Sequence, residues 1–354
     1  MRTAFAASLA CAVVFGVSAA PSVTVSIVIP PQVNDVDNLS AITTVHNSGT
    51  ETLKLLNDPR SVLSDAETNT FDISNDNGSP EFTGMLMKYS PNNIVKTNDP
   101  ADFTVLAPGQ SHQVIHNLAG VYNFTNVGPG EYKVSSNQTL QYVDGSGNIA
   151  TIEAASQPTT FGISGKLVST KGMERRSFGK RQNGPQFVGC SASQQADITT
   201  AVGGAESYAQ AAAAYFETLS GDTERFNTWF GDYSEDKAST VSSHFTQIQG
   251  DATTTTYDCS TCNRRGVFAY VYPTQPGRVY LCEAFWRAPQ VGTDSKAGTI
   301  VHEQSHFDVN GGTRDYAYGQ SRCRNLAIQS PGQAIMNADS HEYFAENNPE
   351  LEKM

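Results

Sequence analysis

A short stretch near the C-terminus contains the pattern H-E-x-x-H, formed by His302, Glu303 and His306. If this stretch is helical, the two histidines lie one turn apart on the same face, so both imidazoles can present a nitrogen to one zinc ion. Glu303 is then rotated so that it can reach a metal-bound water without taking a ligand position. The pattern specifies only three residues and also occurs by chance on ordinary helices, so the sequence that follows it matters.

The residues after this stretch can supply a third metal ligand. Asn310-Gly311-Gly312 is a signal that ends a helix, because glycine readily adopts the left-handed conformation. The chain can then fold back, and we expect Asp315 to approach the two histidines. Two neutral imidazoles and one carboxylate are a common ligand set for a catalytic zinc and leave an open position for water. The sequence therefore predicts one Zn²⁺ in the C-terminal domain.

The combination of H-E-x-x-H with a following G-T-x-D-x-x-Y-G resembles the deuterolysin family of zinc metalloendopeptidases, the aspzincins, in which aspartate is the third ligand. The resemblance is strongest to the branch of fungal peptidyl-Lys metalloendopeptidases, and it covers roughly residues 189–349. It is carried further by Gly189-Cys190-Ser191, Thr228-Trp229-Phe230-Gly231, Phe268-Ala269-Tyr270-Val271-Tyr272-Pro273, Val279-Tyr280-Leu281-Cys282, Ala284-Phe285-Trp286 and Met336-Asn337-Ala338-Asp339.

Peptide hydrolysis needs a strong nucleophile at neutral pH and a group that stabilises the tetrahedral oxyanion. Zinc lowers the pKa of its bound water to ~7. We expect Glu303 to accept the proton from this water and to pass it to the leaving amine. The resemblance assigns Tyr318 as a hydrogen-bond donor to the oxyanion. Simple packing is the alternative for Tyr318, because a buried tyrosine needs only some partner for its hydroxyl.

Two acidic residues are candidates for substrate selection. Asp339 and Glu342 are three residues apart, so on a helix their carboxylates share a face and repel unless a cation or a proton joins them. A lysine ammonium would satisfy both, and the resemblance implies a pocket for lysine with cleavage on its amino side. Three alternatives stay open: a solvated helix face, Glu342 as the third zinc ligand in place of Asp315, and Asp339 as a helix cap. His341 is assigned no catalytic role.

Residues 186–354 must provide the elements that hold these groups, and we expect an α+β, zincin-like catalytic domain. Apolar residues at helical spacing predict helices over 193–219 and 234–248. Strands are predicted at 267–272 and 279–281. We expect one of these two strands to pair with an extended substrate.

Residues 20–165 are predicted to form an all-β, sandwich-like domain, because short runs rich in β-branched residues alternate with polar turns. Residues 166–185 form a predicted linker with the dibasic pairs Arg175-Arg176 and Lys180-Arg181. A processing protease can cut such pairs where the chain is exposed and flexible. The β-domain is therefore interpreted as a propeptide that assists folding, covers the active-site groove and is removed after or near Arg181.

Residues 1–19 are predicted to be a signal peptide, since their apolar run is too short to span a bilayer and small residues follow it. We therefore expect a secreted protein with no membrane partner. The formal net charge of -12 argues against nucleic acid or an anionic membrane as partner and is compatible with an acidic hydrolase acting on proteins or peptides.

The cysteines fit an oxidising compartment, where disulfides are favoured. The resemblance implies the bonds Cys190–Cys259 and Cys262–Cys282. A structural zinc site or a redox-active pair built on Cys259-Ser260-Thr261-Cys262 are the alternatives. The chain departs from its relatives in having two residues between these paired cysteines where they have one. Cys323 has no counterpart to bond with and is predicted to be either a buried thiol or a reactive one.

These features together predict a secreted zinc endopeptidase that is made as a zymogen and cleaves before lysine. A deuterolysin-type enzyme of broader specificity is the first alternative. A non-catalytic secreted binding protein on the same fold is the second, and it is disfavoured because His302, Glu303, His306 and Asp315 are all present.

Overall fold

The computed structural model describes residues 21–169 and 184–351. The predicted signal segment 1–19 and both dibasic pairs lie outside these described residues. Within the described ranges no helix has the length and apolar character needed to cross a membrane. The chain forms an N-terminal β-rich region and a C-terminal region that contains helices and a sheet, which confirms this part of the predicted fold.

The strands of the N-terminal region alternate buried and exposed side chains. In the first strand Val23, Val25 and Ile27 are buried while the residues between them are exposed, so one face of the strand joins the core. In chain order the strands are β1 (Val23–Val28), β2 (Gln32–Asn34), β3 (Ser40–Asn47), β4 (Leu53–Leu56), β5 (Phe71–Ser74), β6 (Glu81–Phe82), β7 (Leu86–Tyr89), β8 (Phe103–Leu106), β9 (Ser111–Asn117), β10 (Tyr122–Asn123), β11 (Gly130–Ser136), β12 (Thr139–Val143), β13 (Ile149–Glu153), β14 (Ala155–Ser156) and β15 (Thr159–Ser164).

Two four-stranded sheets of this region share one hydrophobic core. Their strand orders are β14-β1-β3-β9 and β2-β15-β11-β5, and the core includes Val25 and Val45 from the first sheet with Tyr132 and Phe161 from the second. A third sheet has the order β13-β12-β4-β8, and β10 pairs with β6. Two sheets around one core are the arrangement expected of a sandwich.

One helix interrupts the β-rich region, so the all-β prediction does not hold for it. Helix α1 (Pro91–Thr97) begins after Ser90, whose Oγ accepts a hydrogen bond from the Asn93 N–H at 3.3 Å. Pro91 occupies the first helical position, and Asn98 ends the helix in the left-handed conformation. Ser-Pro at the start and Asn at the end are ordinary helix-boundary residues.

The C-terminal region contains the remaining elements. The predicted helices at 193–219 and 234–248 are both present, with ends that differ by at most one residue. The elements are β16 (Gln186–Val188), α2 (Ala192–Thr218), α3 (Glu224–Phe230), α4 (Glu235–Ile248), β17 (Thr256–Asp258), β18 (Val267–Val271), β19 (Arg278–Leu281), α5 (Glu283–Arg287), α6 (Lys296–His306), α7 (Gln320–Gln329), α8 (Pro331–Ala334) and α9 (Ala338–Glu346).

The sheet of this region recruits a strand from the N-terminal region. Its strand order is β16-β17-β19-β18-β7, although β7 lies within the segment 20–165 that was predicted as a separate β-domain. β7 runs antiparallel to β18, with a bulge between two of the pairs, and the paired residues are Leu86 with Val271, Met87 with Tyr270, Lys88 with Ala269, and Tyr89 with Val267. The two regions are therefore joined through the antiparallel pairing of β7 with β18.

Helix α6 carries the H-E-x-x-H residues and lies at the centre of the C-terminal region. It packs against α2 and α9, and its Ile300 and Val301 belong to the hydrophobic core. A side chain at Gly204 of α2 would place its Cβ 2.9 Å from the Cβ of Ala297, so glycine permits the close approach of these helices. Ser295 caps α6 by accepting a hydrogen bond from the Gly298 N–H at 2.9 Å.

Candidate active site

Helix α6 places the two histidines of the motif side by side. His302 and His306 are both fully buried, and their Nε2 atoms lie 3.1 Å apart. Since Ile300 and Val301 hold the opposite side of the helix in the core, the imidazole face has little freedom to turn away. The sequence pattern and the observed geometry agree here.

The other ring nitrogens determine which lone pairs are available. His306 Nδ1 lies 3.0 Å from the carbonyl oxygen of Thr313, which can only accept, so the proton of a neutral ring resides on Nδ1. His302 Nδ1 lies 2.9 Å from Asp339 Oδ1. For neutral rings these contacts favour the proton on Nδ1 and leave Nε2 available as a metal ligand, as outer partners do in many metal sites.

The chain folds back after α6 as the glycine pair predicted. Gly312 adopts a φ of 57°, and the Thr313 N–H donates to the Ser305 carbonyl at 3.1 Å. The returning segment is then held by the Asn337 side chain, whose Oδ1 accepts from the Tyr316 N–H at 2.9 Å and the Ala317 N–H at 3.0 Å. These contacts fix the backbone on both sides of residue 315.

Asp315 is thereby placed against the imidazole face. Its Oδ1 lies 3.2 Å from His302 Nε2 and 3.4 Å from His306 Nε2, and this buried oxygen makes no hydrogen bond. The neighbouring imidazoles hold the pKa of Asp315 well below its usual value, although burial alone would raise it.

These three ligand atoms fit a tetrahedral zinc. Ligand atoms about 2.0–2.1 Å from zinc at tetrahedral angles are about 3.3 Å apart, and the observed separations bracket that value. Glu342, the alternative third ligand, lies 3.2 Å from Nδ1 of His302, which is the nitrogen on the far side of the ring. The geometry therefore favours Asp315 over Glu342 as the third ligand.

Glu303 is fully buried and faces the same cleft. Its Oε1 accepts a hydrogen bond from the Lys88 backbone N–H at 3.0 Å, while Oε2 has no hydrogen-bond partner. Burial raises the pKa of Glu303 to about 8. A carboxylate with a raised pKa beside a metal site can both take up and deliver a proton near neutral pH.

Tyr318 lies on the other side of the cleft. Its hydroxyl donates to the Met87 carbonyl oxygen at 2.5 Å, so it contacts the same strand as Glu303. Arg60 contacts both Tyr318 and Asp315. Its guanidinium lies 4.0 Å from the centroid of the Tyr318 ring and donates to the Asp315 carbonyl at 2.7 Å. No local pattern around Arg60 in the sequence indicated this position.

Asp339 and Glu342 form one wall of a buried pocket. Both are fully buried, which excludes the solvated helix face, and the N-cap of α9 is Asn337, which excludes Asp339 as its cap. The Lys88 ammonium lies 3.0 Å from Asp339 Oδ1 and 2.8 Å from Glu342 Oε2. A cation thus joins the two carboxylates, and it comes from β7 of the same chain.

A third carboxylate completes the pocket, and neither it nor Lys88 was predicted from the sequence. Asp294 Oδ1 lies 3.1 Å from the Lys88 ammonium and also accepts from the Tyr343 hydroxyl at 2.8 Å. Burial opposes the charge of Lys88, but the carboxylates hold the pKa of Lys88 well above its usual value. The available signal was a single lysine inside the apolar run Met85-Leu86-Met87-Lys88-Tyr89.

His341 lies behind the site. Its Nε2 is 3.0 Å from Nδ1 of His244, and its Nδ1 lies 2.9 Å from the Asn337 carbonyl oxygen. Burial lowers the pKa of His341 to about 3, so the ring is neutral and serves packing. This position agrees with the absence of a predicted catalytic role.

Both implied disulfides are present, Cys190–Cys259 and Cys262–Cys282. The sulfurs of the C-x-x-C segment are therefore used in different bonds, which excludes the alternatives of a structural zinc site and of a redox-active pair there. Cys323 is a free, buried thiol whose Sγ lies 3.7 Å from the Ala317 carbonyl.

The chain is similar to several known proteins. Residues 215–346 match the aspzincin family model, described as lysine-specific metallo-endopeptidase. The peptidyl-Lys metalloendopeptidase of Armillaria mellea is 46% identical over 342 residues, which cover 96% of this chain and 95% of the relative. The protein of the same name from Grifola frondosa is 44% identical and covers 94% and 95%. An extracellular protease of Aeromonas hydrophila is 33% identical and covers 88% and 89%. A solved zinc peptidase from Grifola frondosa is 51% identical, with a TM-score of 0.45, and covers 46% of this chain and 100% of its own.

Proposed function

Because the chain belongs to the aspzincin family of zinc metalloendopeptidases, we propose that it is a secreted zymogen whose processed form cleaves proteins and peptides on the amino side of lysine. The chain is a hydrolase of peptide bonds with Zn²⁺ as its cofactor. The observation that carries the lysine preference is the ion pairing of the Lys88 ammonium with Asp339 and Glu342.

The pocket suits a compact cation on a long aliphatic stem. Burying two carboxylates is costly unless a cation is present, so an empty or apolar-filled pocket is disfavoured. The Lys88 ammonium lies within 3.1 Å of one oxygen from each of three carboxylates, and it lies 5.0 Å from the centroid of the Tyr343 ring. An ammonium is a point charge with three donors, which matches separated single-oxygen contacts better than the planar fork of arginine does.

His302, His306 and Asp315 would hold the zinc, which when bound supplies the Lewis acidity that activates water and polarises the substrate carbonyl. Glu303 takes the proton from the attacking water and returns it to the leaving nitrogen, and it is already 3.0 Å from a backbone nitrogen in the cleft. Tyr318 donates to the carbonyl oxygen as that oxygen becomes negative. Asp339 keeps His302 in the required tautomer.

The N-terminal region acts as a propeptide in this proposal. Its strand β7 fills the cleft beside α6, where a substrate would have to lie. A processing protease cuts near Lys180-Arg181, giving a mature N-terminus between residues 182 and 186. The signal segment 1–19 directs secretion, which the two disulfides and the resemblance to an extracellular protease support.

The test is a digest of a denatured protein mixture by the processed enzyme, followed by sequencing of the new N-termini. Lysine should dominate at those positions, and a chelator should abolish cleavage until zinc is restored. New N-termini without lysine enrichment would instead support a deuterolysin of broader specificity. Activity that neither chelator nor zinc affects would remove the metal from the proposal.

A further inference from the structure

The peptide bond between Met87 and Lys88 lies where a substrate bond would be cut. Its carbonyl oxygen accepts from the Tyr318 hydroxyl at 2.5 Å, and its N–H donates to Glu303 Oε1 at 3.0 Å. Tyr318 and Glu303, the two groups proposed to act on a scissile bond, therefore both contact this peptide bond. Tyr318 contacts its carbonyl oxygen and Glu303 contacts its nitrogen. The Met87 N–H also donates to Asp315 Oδ2 at 3.1 Å, which places the residue before the bond next to the metal ligands.

The register of the strand is fixed by two independent sets of contacts. β7 pairs antiparallel with β18, which sets the backbone position. The Lys88 side chain enters the carboxylate pocket, and because side chains alternate along a strand, a shift by one residue would withdraw it. The lysine is thus located directly after the bond that Glu303 and Tyr318 contact, which is the arrangement of a substrate cleaved on the amino side of lysine.

We propose that Leu86–Tyr89 is a built-in substrate, and that the zinc-bearing enzyme hydrolyses its own Met87–Lys88 bond. This inference rests on the proposed function and adds a cleavage site inside the propeptide. The oxygen of water adds to the Met87 carbonyl carbon, the carbon–nitrogen bond breaks, and Glu303 transfers the proton of that water to the Lys88 nitrogen. The products are a carboxylate on Met87 and a new amino terminus on Lys88.

Cleavage at Met87–Lys88 would help to release β7, which processing at the linker alone leaves bound in the cleft. Cutting near Arg181 separates the two regions covalently, but the strand pairing and the ion pairs of Lys88 hold β7 in the cleft without any covalent link. Cleavage before Lys88 divides the strand into two halves. Leu86 and Met87 keep their pairing with β18 on one side, while Lys88 and Tyr89 keep theirs, together with the Lys88 ion pairs, on the other. Each half is then held by fewer contacts and can leave the cleft.

The experiment follows the full-length, zinc-loaded chain over time by intact mass and N-terminal sequencing. We expect a fragment that begins Lys88-Tyr89-Ser90, formed at a rate that does not change across a dilution series because the bond is seated within its own chain. Glu303→Gln should abolish the fragment. Lys88→Met should abolish it as well, while Lys96→Met, which alters an exposed lysine on α1, should leave it unchanged.

A second measurement keeps the inference testable if the variants alter folding. In the Glu303→Gln background, Lys88→Met should speed hydrogen exchange of the β18 amides, and Lys88→Arg should do so less, while exchange in the β1–β3 pairing stays unchanged. An intact Met87–Lys88 bond in an enzyme that cuts added substrates before lysine overturns the inference and leaves the proposed function standing. If the rate of fragment formation rises with protein concentration, one molecule cuts another, and the proposal that each chain cuts its own bond is overturned. If the processed enzyme shows no preference for lysine in added substrates, the proposed function itself is refuted.

Discussion

Glu342→Gln offers a sharp test of the lysine pocket in the processed enzyme. Glu342 Oε2 makes the shortest carboxylate contact with the Lys88 ammonium, at 2.8 Å, and we expect a substrate lysine to occupy the same place. Glutamine keeps the size of the side chain and removes the charge. Glu342 also lies 3.2 Å from His302 Nδ1, but Asp339 is closer to that nitrogen at 2.9 Å and is left intact, so the change should affect recognition more than the metal site.

The expected magnitude follows from the loss of one charged contact out of several. A hydrogen bond to a charged group contributes roughly 1.5–3 kcal/mol, which corresponds to a loss of about 10- to 150-fold in kcat/KM for a lysine substrate. Burial raises the pKa of Glu342, which favours its neutral form. Because removing a charge that is only partly present has a smaller effect, the loss in kcat/KM should lie in the lower part of that range.

The assay is a double-mutant cycle with peptides that carry either lysine or its uncharged analogue norleucine after the scissile bond. If Glu342 recognises the ammonium, Glu342→Gln should reduce cleavage of the lysine peptide and leave the norleucine peptide nearly unaffected. Zinc content should be unchanged, and Glu350→Gln near the end of the chain serves as the surface control. Equal losses for the two peptides, or a change below about threefold for lysine, would refute the pocket as described.

Four further outcomes are expected. Glu303→Gln should keep its zinc while kcat falls by about 10²- to 10⁴-fold, which metal analysis and kinetics measure together; unchanged turnover would exclude Glu303 as the base. Tyr318→Phe should lower kcat by about 10²- to 10³-fold with KM nearly constant, and an effect on KM alone would indicate a packing role. Asp315→Ala should reduce bound zinc in equilibrium dialysis, and full retention would favour another ligand. Burial lowers the pKa of His116 to about 4, so the unfolded chain takes up this proton first as pH falls below about 6.5. The thermal midpoint of the full chain should therefore fall from pH 6.5 towards pH 4, and His116→Asn should make that fall shallower.

The metal-binding face could be predicted because its determinants are local. The spacing of His302 and His306 follows from the helical repeat, and Gly311-Gly312 specifies the bend that brings Asp315 back, since few other residues adopt a φ of 57° without strain. Helices α2 and α4 and strands β18 and β19 were predicted for the same reason, because their periodicity is a property of neighbouring residues. Helix α1 was missed because residues 20–165 were predicted to be all-β.

Only the tertiary structure could choose between the alternatives for Asp339 and Glu342. Spacing places both on one face of α9, but it does not say whether that face meets water, metal or a cation. The structure buries both residues and brings them the Lys88 ammonium from a strand 251 residues before Asp339. It also assigns the two nitrogens of His302 to different neighbours, which separates Asp315 from Glu342 as candidate ligands.

The sequence by itself therefore determined which groups line the cleft: a histidine pair and two carboxylates, at helical and turn spacing. The occupant of that cleft was decided by the pairing of β7 with β18, together with Arg60 and Asp294. The physical reason is that strand pairing joins backbone groups, which every residue carries, so its partner is selected by the packing of the whole chain rather than by any short pattern.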